Sequence, residues 1–331
     1  MRRNLLTDVA GVSVGHADDV RLGSGVTAIV FDQPAVASVS VLGGAPGGRD
    51  TDLLAPHNTV SAVDAIVLSG GSAFGLDAAG GVQAALREQG RGLRVGTALV
   101  PIVPQAIVFD LVNGGDKDWG VFSPYRDLGY AAARAIGRDF ALGSVGGGMG
   151  ATTATVKGGL GSASAITSAG HTVAAIVVVN AVGSPLVGNG PWFWAAPYEQ
   201  HGEFGGLGYP AACDLTMRTK GGPGTSTTIG LVATDAVLTK AQAMRLAIMA
   251  HDGLARAVLP AHAPMDGDTM FAAATGHRPL GDAMRELTEL GHAATLTMAR
   301  AIARGVYEAK ALPVAGAQPA WQEMFTNTKQ P

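Results

Sequence analysis

Runs of apolar residues divide the chain into strands and helices with no clean linker between them. Val26–Phe31 and Val36–Leu42 are β-branched and partly alternating, which predicts two paired strands. Ala65–Leu68 reads as a short buried strand that runs through Ser69-Gly70-Gly71-Ser72 into a helix from Ala73 to Gln89. Val173–Val179, Thr228–Thr234 and Met270–Ala274 read as further strands. Two helices follow from period-3.6 stripes. Thr239–Val258 lines up Met244, Ala247, His251, Leu254 and Val258, and Asp282–Tyr307 lines up Leu287, Leu290, Ala294, Met298 and Ile302. A strand apolar on both faces, such as Val173–Val179, needs cover on both sides. Helices outside and sheets within give a layered α/β sandwich. No repeat of solenoid length is present, and Gln318–Pro331 reads as a loose tail.

One stretch breaks this texture. Between Gly188 and Thr228 the chain is rich in Gly and Pro, ending in Lys220-Gly221-Gly222-Pro223-Gly224. A structureless loop of that length inside a domain is unusual and tends to be functional or mobile. It stops at Ser226-Thr227-Thr228-Ile229, where a strand begins.

Composition narrows the function classes. With 47% hydrophobic and 15% charged residues, the chain has the balance of a folded core and not of a disordered segment. A net charge of −3 and the lack of a basic run with interleaved aromatics leave no footprint for nucleic acid or an anionic membrane. The longest dense apolar run is far too short to span a bilayer, and the N-terminal residues turn polar at Thr7-Asp8 before a signal-peptide core forms. A cytoplasmic protein is expected. The single cysteine, Cys213, excludes an intrachain disulfide framework and is expected to be a buried or half-buried small residue. The eight histidines are scattered, with no His-x-x-x-His pair, and His251 falls on an apolar stripe as a core histidine would. Gly146–Ala151 fits a G-x-G-x-x-A pattern, but strand-forming Thr152–Val156 follows where a dinucleotide site needs a helix. No metal or cofactor is implied.

What remains is a hydroxyl nucleophile. A threonine at the first position of a chain has its own α-amine, of reference pKa ~7.7–8.0, as a base. Such a terminus is made by cleavage, and a Gly-rich segment feeding a rigid strand suits a strained, exposed scissile bond. Thr227 has that position, although by its residues alone it reads first as an ordinary β-branched strand residue. Before cleavage the Thr227 nitrogen is an amide, so another group must activate the hydroxyl. Asp266-Gly267-Asp268, after the turn Pro264-Met265, offers two carboxylates that can face one pocket, or an ordinary Asx-type turn.

Several segments together resemble the DmpA-like L-aminopeptidase/D-esterase family, with its β-aminopeptidase and nylon-oligomer hydrolase branches. They are Asn4–His16, Pro46–Leu54, Leu68–Asp77, Val100–Pro104 with Phe109-Asp110-Leu111, Thr227–Ala236 and Asp266–Asp268, which together span nearly the whole chain. The resemblance implies an αββα layered sandwich like those of N-terminal-nucleophile hydrolases and ornithine acetyltransferases. It implies one catalytic domain, residues 1–331, that cleaves itself between Ser226 and Thr227 into 1–226 and 227–331. It implies hydrolysis of short peptides or amino-acid amides through a threonyl ester, and a homotetramer. Matched by motif, Thr227 is the nucleophile, Asp266 and Asp268 orient it and its amine, Asn180 holds the oxyanion, and Lys157 lies beside the nucleophile. On sequence alone Asn180 reads equally as a strand-end turn residue and Lys157 as a solvated lysine. The chain departs from many relatives in having Ser226, where Asn or Gly precedes the nucleophile. Two other functions fit the same residues: acyl transfer to an amine acceptor such as ornithine, and an unprocessed relative that only binds a small ligand.

Overall fold

The computed structural model describes residues 2–221 and 226–325. Strands β1 (Val12–Asp19), β2 (Ser24–Val41), β3 (Gly48–Arg49) and β4 (Val63–Ser69) come first. Helices α1 (Ser72–Gly75) and α2 (Ala78–Glu88) follow, then short strands β5 (Leu93–Val95), β6 (Ala98–Val100) and β7 (Gln105–Ile107). Helix α3 (Tyr125–Arg134) leads to β8 (Gly159–Ile166) and β9 (Thr172–Asn180). After the long Gly-rich loop come β10 (Thr227–Ala236), α4 (Lys240–Ala257), β11 (Thr269–Arg278), α5 (Ala283–Tyr307) and α6 (Trp321–Phe325).

Alternation of side chains along the strands sorts the core into three layers. In β9, Ala174, Ile176 and Val178 share one cluster with Ile229, Leu231 and Ala233 of β10 and with Ile66 and Leu68 of β4. These residues fill the space between two sheets. The other face of β9, Val173, Ala175, Val177 and Val179, packs with Val232 and with Leu246, Ala250 and Leu254 of α4 and Met298 and Ile302 of α5. On the far side, Val26, Ala28, Val30, Ala65 and Val67 pack on Val82, Ala85 and Leu86 of α2 and Ala132 of α3. Helix, sheet, sheet, helix is the αββα sandwich expected from the sequence. The helix contacts are close. A Cβ on Gly161 of β8 would lie 1.8 Å from the Ala301 carbonyl of α5, so backbone rests on backbone there. Gly161→Ala therefore forces α5 off β8 and should cost about 1–3 kcal/mol, read as a lowered denaturation midpoint. An unchanged midpoint would mean the two elements yield freely.

Four expectations change. Val26–Phe31 and Val36–Leu42 are not paired strands but the two halves of β2. Val26–Val30 pairs with β1 and β4 in one sheet, while Val36–Val41 pairs with β11 in the other. The intervening Asp32-Gln33-Pro34 is exposed, which gives the segment the look of a turn, yet the strand continues through it. The helix over Ala73–Gln89 is two helices, broken at Leu76-Asp77. Thr152–Val156 forms no strand; Thr152 and Lys157 make a single bridge around a turn in which Thr153 N donates to the Val156 carbonyl at 3.0 Å. The part of the expected loose tail that is described, residues 318–325, packs on the body of the protein. Gln318 Nε2 donates to the Thr153 carbonyl (2.9 Å), and buried Trp321 stacks on Phe193 with centroids 5.7 Å apart and donates from Nε1 to Pro191 O. Residues 326–331 lie outside the described residues. Among the described residues, no helix is long and apolar enough to cross a membrane.

Candidate active site

Strand register builds the site. β10 is buried along its whole length and lies between β9, antiparallel, and β11, parallel. Its first residue, Thr227, is paired with Asn180, the last residue of β9. On the opposite side Ser226 bridges to Asp266, in the turn that opens β11. A threonine hydroxyl, an amide side chain and an acidic turn are thus brought to one end of one sheet by the pairing of three strands. Part of the loop that leads in, residues 222–225, lies outside the described residues.

The Thr227 hydroxyl, on a residue only 4% exposed, donates to the carbonyl oxygen of Ser226. This sets Oγ1 directly beside the Ser226 carbonyl. A cavity of about 360 Å³ opens onto Ser226 and Thr227 and is walled by Pro46, Leu76, Ile107, Phe109 and Met265.

Asp266 and Asp268 are both buried. Asp268 Oδ1 accepts from the Thr228 N–H at 2.8 Å, one residue beyond Thr227. Asp266 Oδ1 accepts from Gly267 N at 3.0 Å. Burial, then the Asp268 charge and hydrogen bond, push the Asp266 carboxyl up to about 7. Gly43-Gly44 packs directly on this turn. A Cβ on Gly43 would sit 2.3 Å from Asp268 N, which accounts for part of the Gly-rich stretch between β2 and β3.

The amide of Asn180 has a defined orientation. Oδ1 accepts from Thr152 N (3.0 Å) and Lys220 Nζ (2.9 Å), while Nδ2 donates to the Phe109 carbonyl at 3.1 Å. Lys157 is not a solvated lysine: it is 1% exposed, and its ammonium donates to the carbonyls of Gly148, Ala151 and Gly158 at 2.7–3.1 Å. Burial pushes it down to about 7. Its contacts place it behind the Thr152 loop, and the lysine that touches Asn180 is Lys220.

Sequence reasoning missed Lys220 and His262. Lys220 lies in the Gly-rich loop singled out above, and burial brings it to about 7 against the opposing charges of Asp266 and Asp110. His262 donates from Nδ1 to Asp268 Oδ2 at 2.8 Å. Nothing in Pro260-Ala261-His262-Ala263-Pro264 marks it beforehand. Lys220 also lines a second cavity of about 570 Å³, which shares Phe109 with the first and includes Asp110, Thr152 and Gln318. His251 is a buried core histidine, as its place on the α4 stripe suggests, with Nε2 donating to Ser40 O at 2.9 Å. Cys213 is exposed and not buried, because the loop that carries it runs over the surface.

The L-aminopeptidase D-Ala-esterase/amidase of Ochrobactrum anthropi, solved and described as a variant of the Ntn hydrolase fold, superposes with a TM-score of 0.67. The match covers 93% of this chain and 87% of that one at 20% identity. The architecture is therefore that of an Ntn hydrolase. The chain belongs to peptidase family S58, which it matches over residues 4–318, and is a hydrolase. An uncharacterized aminopeptidase of Mycobacterium bovis is 43% identical over 97% of this chain and 98% of its own length. A 6-aminohexanoate-oligomer endohydrolase of Kocuria sp. is 30% identical over 83% of this chain and 76% of its own.

Proposed function

We propose that the chain is a self-processing aminopeptidase or amidase acting on short peptides or amino-acid amides, with Thr227 as nucleophile. The observation that carries this is the Thr227 hydroxyl donating to the Ser226 carbonyl at the head of a buried strand, flanked by Asn180 and the acidic pair. In processing, Oγ1 attacks the Ser226 carbonyl carbon as Asp266 takes its proton. The C–N bond breaks, the nitrogen leaves protonated, and the Ser226 acyl group is held as an ester on Thr227. Water hydrolyses the ester, leaving a Ser226 carboxylate and a Thr227 with free amine and hydroxyl. In turnover the free amine accepts the hydroxyl proton and passes it to the leaving amine. Asn180 with backbone N–H groups steadies the oxyanion, and water then releases the acyl group. Residues 1–226 and 227–331 remain one folded unit, because β10 stays paired between β9 and β11. Lys157 supports the Thr152 loop that holds Asn180. Assembly as a homotetramer belongs to the same reading.

The test is the rate of self-cleavage against pH, followed on denaturing gels after cell-free synthesis. Asp266 works as a base only when ionised, so splitting should accelerate as pH rises through about 7. Asp266→Asn should slow it by about 10²-fold or more. The same group predicts a stability effect of definite sign. Folding raises its pKa, so the folded state holds an extra proton from the ordinary aspartate value up to about 7, and stability falls as pH rises through that window. Uncleaved Asp266→Asn should therefore melt higher than uncleaved Thr227→Ala at pH 8, with the gap closing at pH 5. A pH-independent splitting rate, or wild-type splitting in Asp266→Asn, would remove Asp266 from the mechanism.

A further inference from the structure

His262 has no part in the chemistry above, yet it is tied to the acidic pair twice. Its backbone N–H and its ring Nδ1 both reach Asp268 Oδ2, at 3.0 and 2.8 Å. With Thr228 N on Oδ1, the Asp268 carboxylate accepts three donors, two of them from one residue. The arrangement places His262 in the left-handed backbone region (φ 57°), which non-glycine residues adopt uncommonly and histidine more readily than most. The ring also stands edge-on to His251, centroids 5.0 Å apart, and the His262 side chain is 21% exposed. His251 in turn is anchored on Ser40 O of β2, so the imidazole is braced from α4 and β2 as well as from its own turn.

We propose that His262 is a positioning residue for the acidic pair: it fixes Asp268 as a three-donor acceptor behind the nucleophile and so leaves Asp266 as the carboxyl that exchanges the proton. This rests on the reading of Thr227 as nucleophile and adds the device that makes two adjacent carboxylates unequal. Two buried carboxylates in contact share one proton, and without an asymmetric partner either could hold it. Here one is committed to Thr228 N and His262, while the other has Gly267 N and its neighbour. The ionisable groups facing His262 are Asp266 and Asp268 on its own turn and His251 on α4, with Asp252 one residue further along that helix. A charge on His262 favours ionised Asp266, so its loss should displace the titration of Asp266 upward.

The test compares His262→Asn and His262→Ala with wild type in pH profiles of self-cleavage and of kcat and KM on an amino-acid amide. Asn tolerates the left-handed backbone and keeps a donor for Asp268 Oδ2, but it cannot carry a charge. In both variants the acid limb of self-cleavage, where Asp266 is the base, should move to higher pH. His262→Ala should also lose about tenfold or more in plateau kcat with little change in KM, and His262→Asn should recover part of that loss. A limb that stays at the wild-type pH in both variants overturns the proposal, whatever happens to the plateau, because a purely structural role lowers rates without moving the profile. If His262→Ala does not fold, the limb of His262→Asn decides alone. A fragment beginning at Thr227 in both variants keeps this outcome separate from failure of the nucleophile assignment, which would remove that fragment from wild type too.

Discussion

Thr227→Ala should yield a folded, uncleaved chain with no measurable turnover of amino-acid amides. The substitution removes the hydroxyl that donates to the Ser226 carbonyl, so the ester cannot form and the α-amine is never freed. Loss of a covalent nucleophile together with its base costs at least about 10⁴-fold in kcat, since the two act as one unit. The fold should survive, because the backbone pairing of residue 227 with Asn180 does not use the side chain. Thr227→Ser keeps the hydroxyl and should retain both activities, which separates chemistry from packing. Intact mass and an amidase assay on the two variants check this. Splitting or wild-type turnover in Thr227→Ala would mean that another group is the nucleophile.

Gly267→Ala should disable the site from the other side. A Cβ there would lie 2.7 Å from Thr227 Oγ1, 3.0 Å from Thr227 Cγ2 and 3.0 Å from the Ala45 carbonyl. The Ala45 carbonyl belongs to a backbone pinned by its own N–H, which donates to Asp266 O at 2.7 Å, so the threonine side chain is the part that yields. Rotation of a nucleophile by roughly 1 Å costs on the order of 10²-fold in rate. The overpacking itself should cost only about 1–3 kcal/mol of stability. Slow self-cleavage and low kcat in a protein that still melts cooperatively is the expected pattern. Wild-type rates would show that the acidic turn has slack that the close approach of Gly267 to Thr227 denies. The spacing Asp-Gly-Asp is thus steric as well as electrostatic: the central residue is a glycine because the Thr227 side chain occupies the space of its own.

What could be read from the sequence divides along physical lines. β9, β10, α4 and α5 are long, periodic and uniformly apolar on the faces they bury, so local pattern and final structure agree. At β2 the pattern misleads, because a hydrophobic pattern does not distinguish one strand that crosses between sheets from two strands joined by a turn, and Gln33-Pro34 imitates the turn. The residues of the site were legible where they sit on those strands or in a marked turn: Thr227 at a strand start, Asn180 at a strand end, Asp266 and Asp268 around a glycine. Their meeting is a matter of register, since the pairing of Thr227 with Asn180 and of Ser226 with Asp266 is set by how three strands align. Lys220 and His262 were illegible for the same reason in reverse. Each reaches the site from irregular backbone, and its partner is chosen by tertiary closure and not by spacing. Lys157, carried to the site by motif, proved to be buried against three carbonyls of its own loop.

The central claim is that the working enzyme has a threonine for an N-terminus. N-terminal sequencing of purified, active protein tests it directly. The account predicts two sequences in equal amount, one from the start of the chain and one reading Thr227-Thr228-Ile229-Gly230. A preparation that hydrolyses amides and gives only the first of these would contradict it.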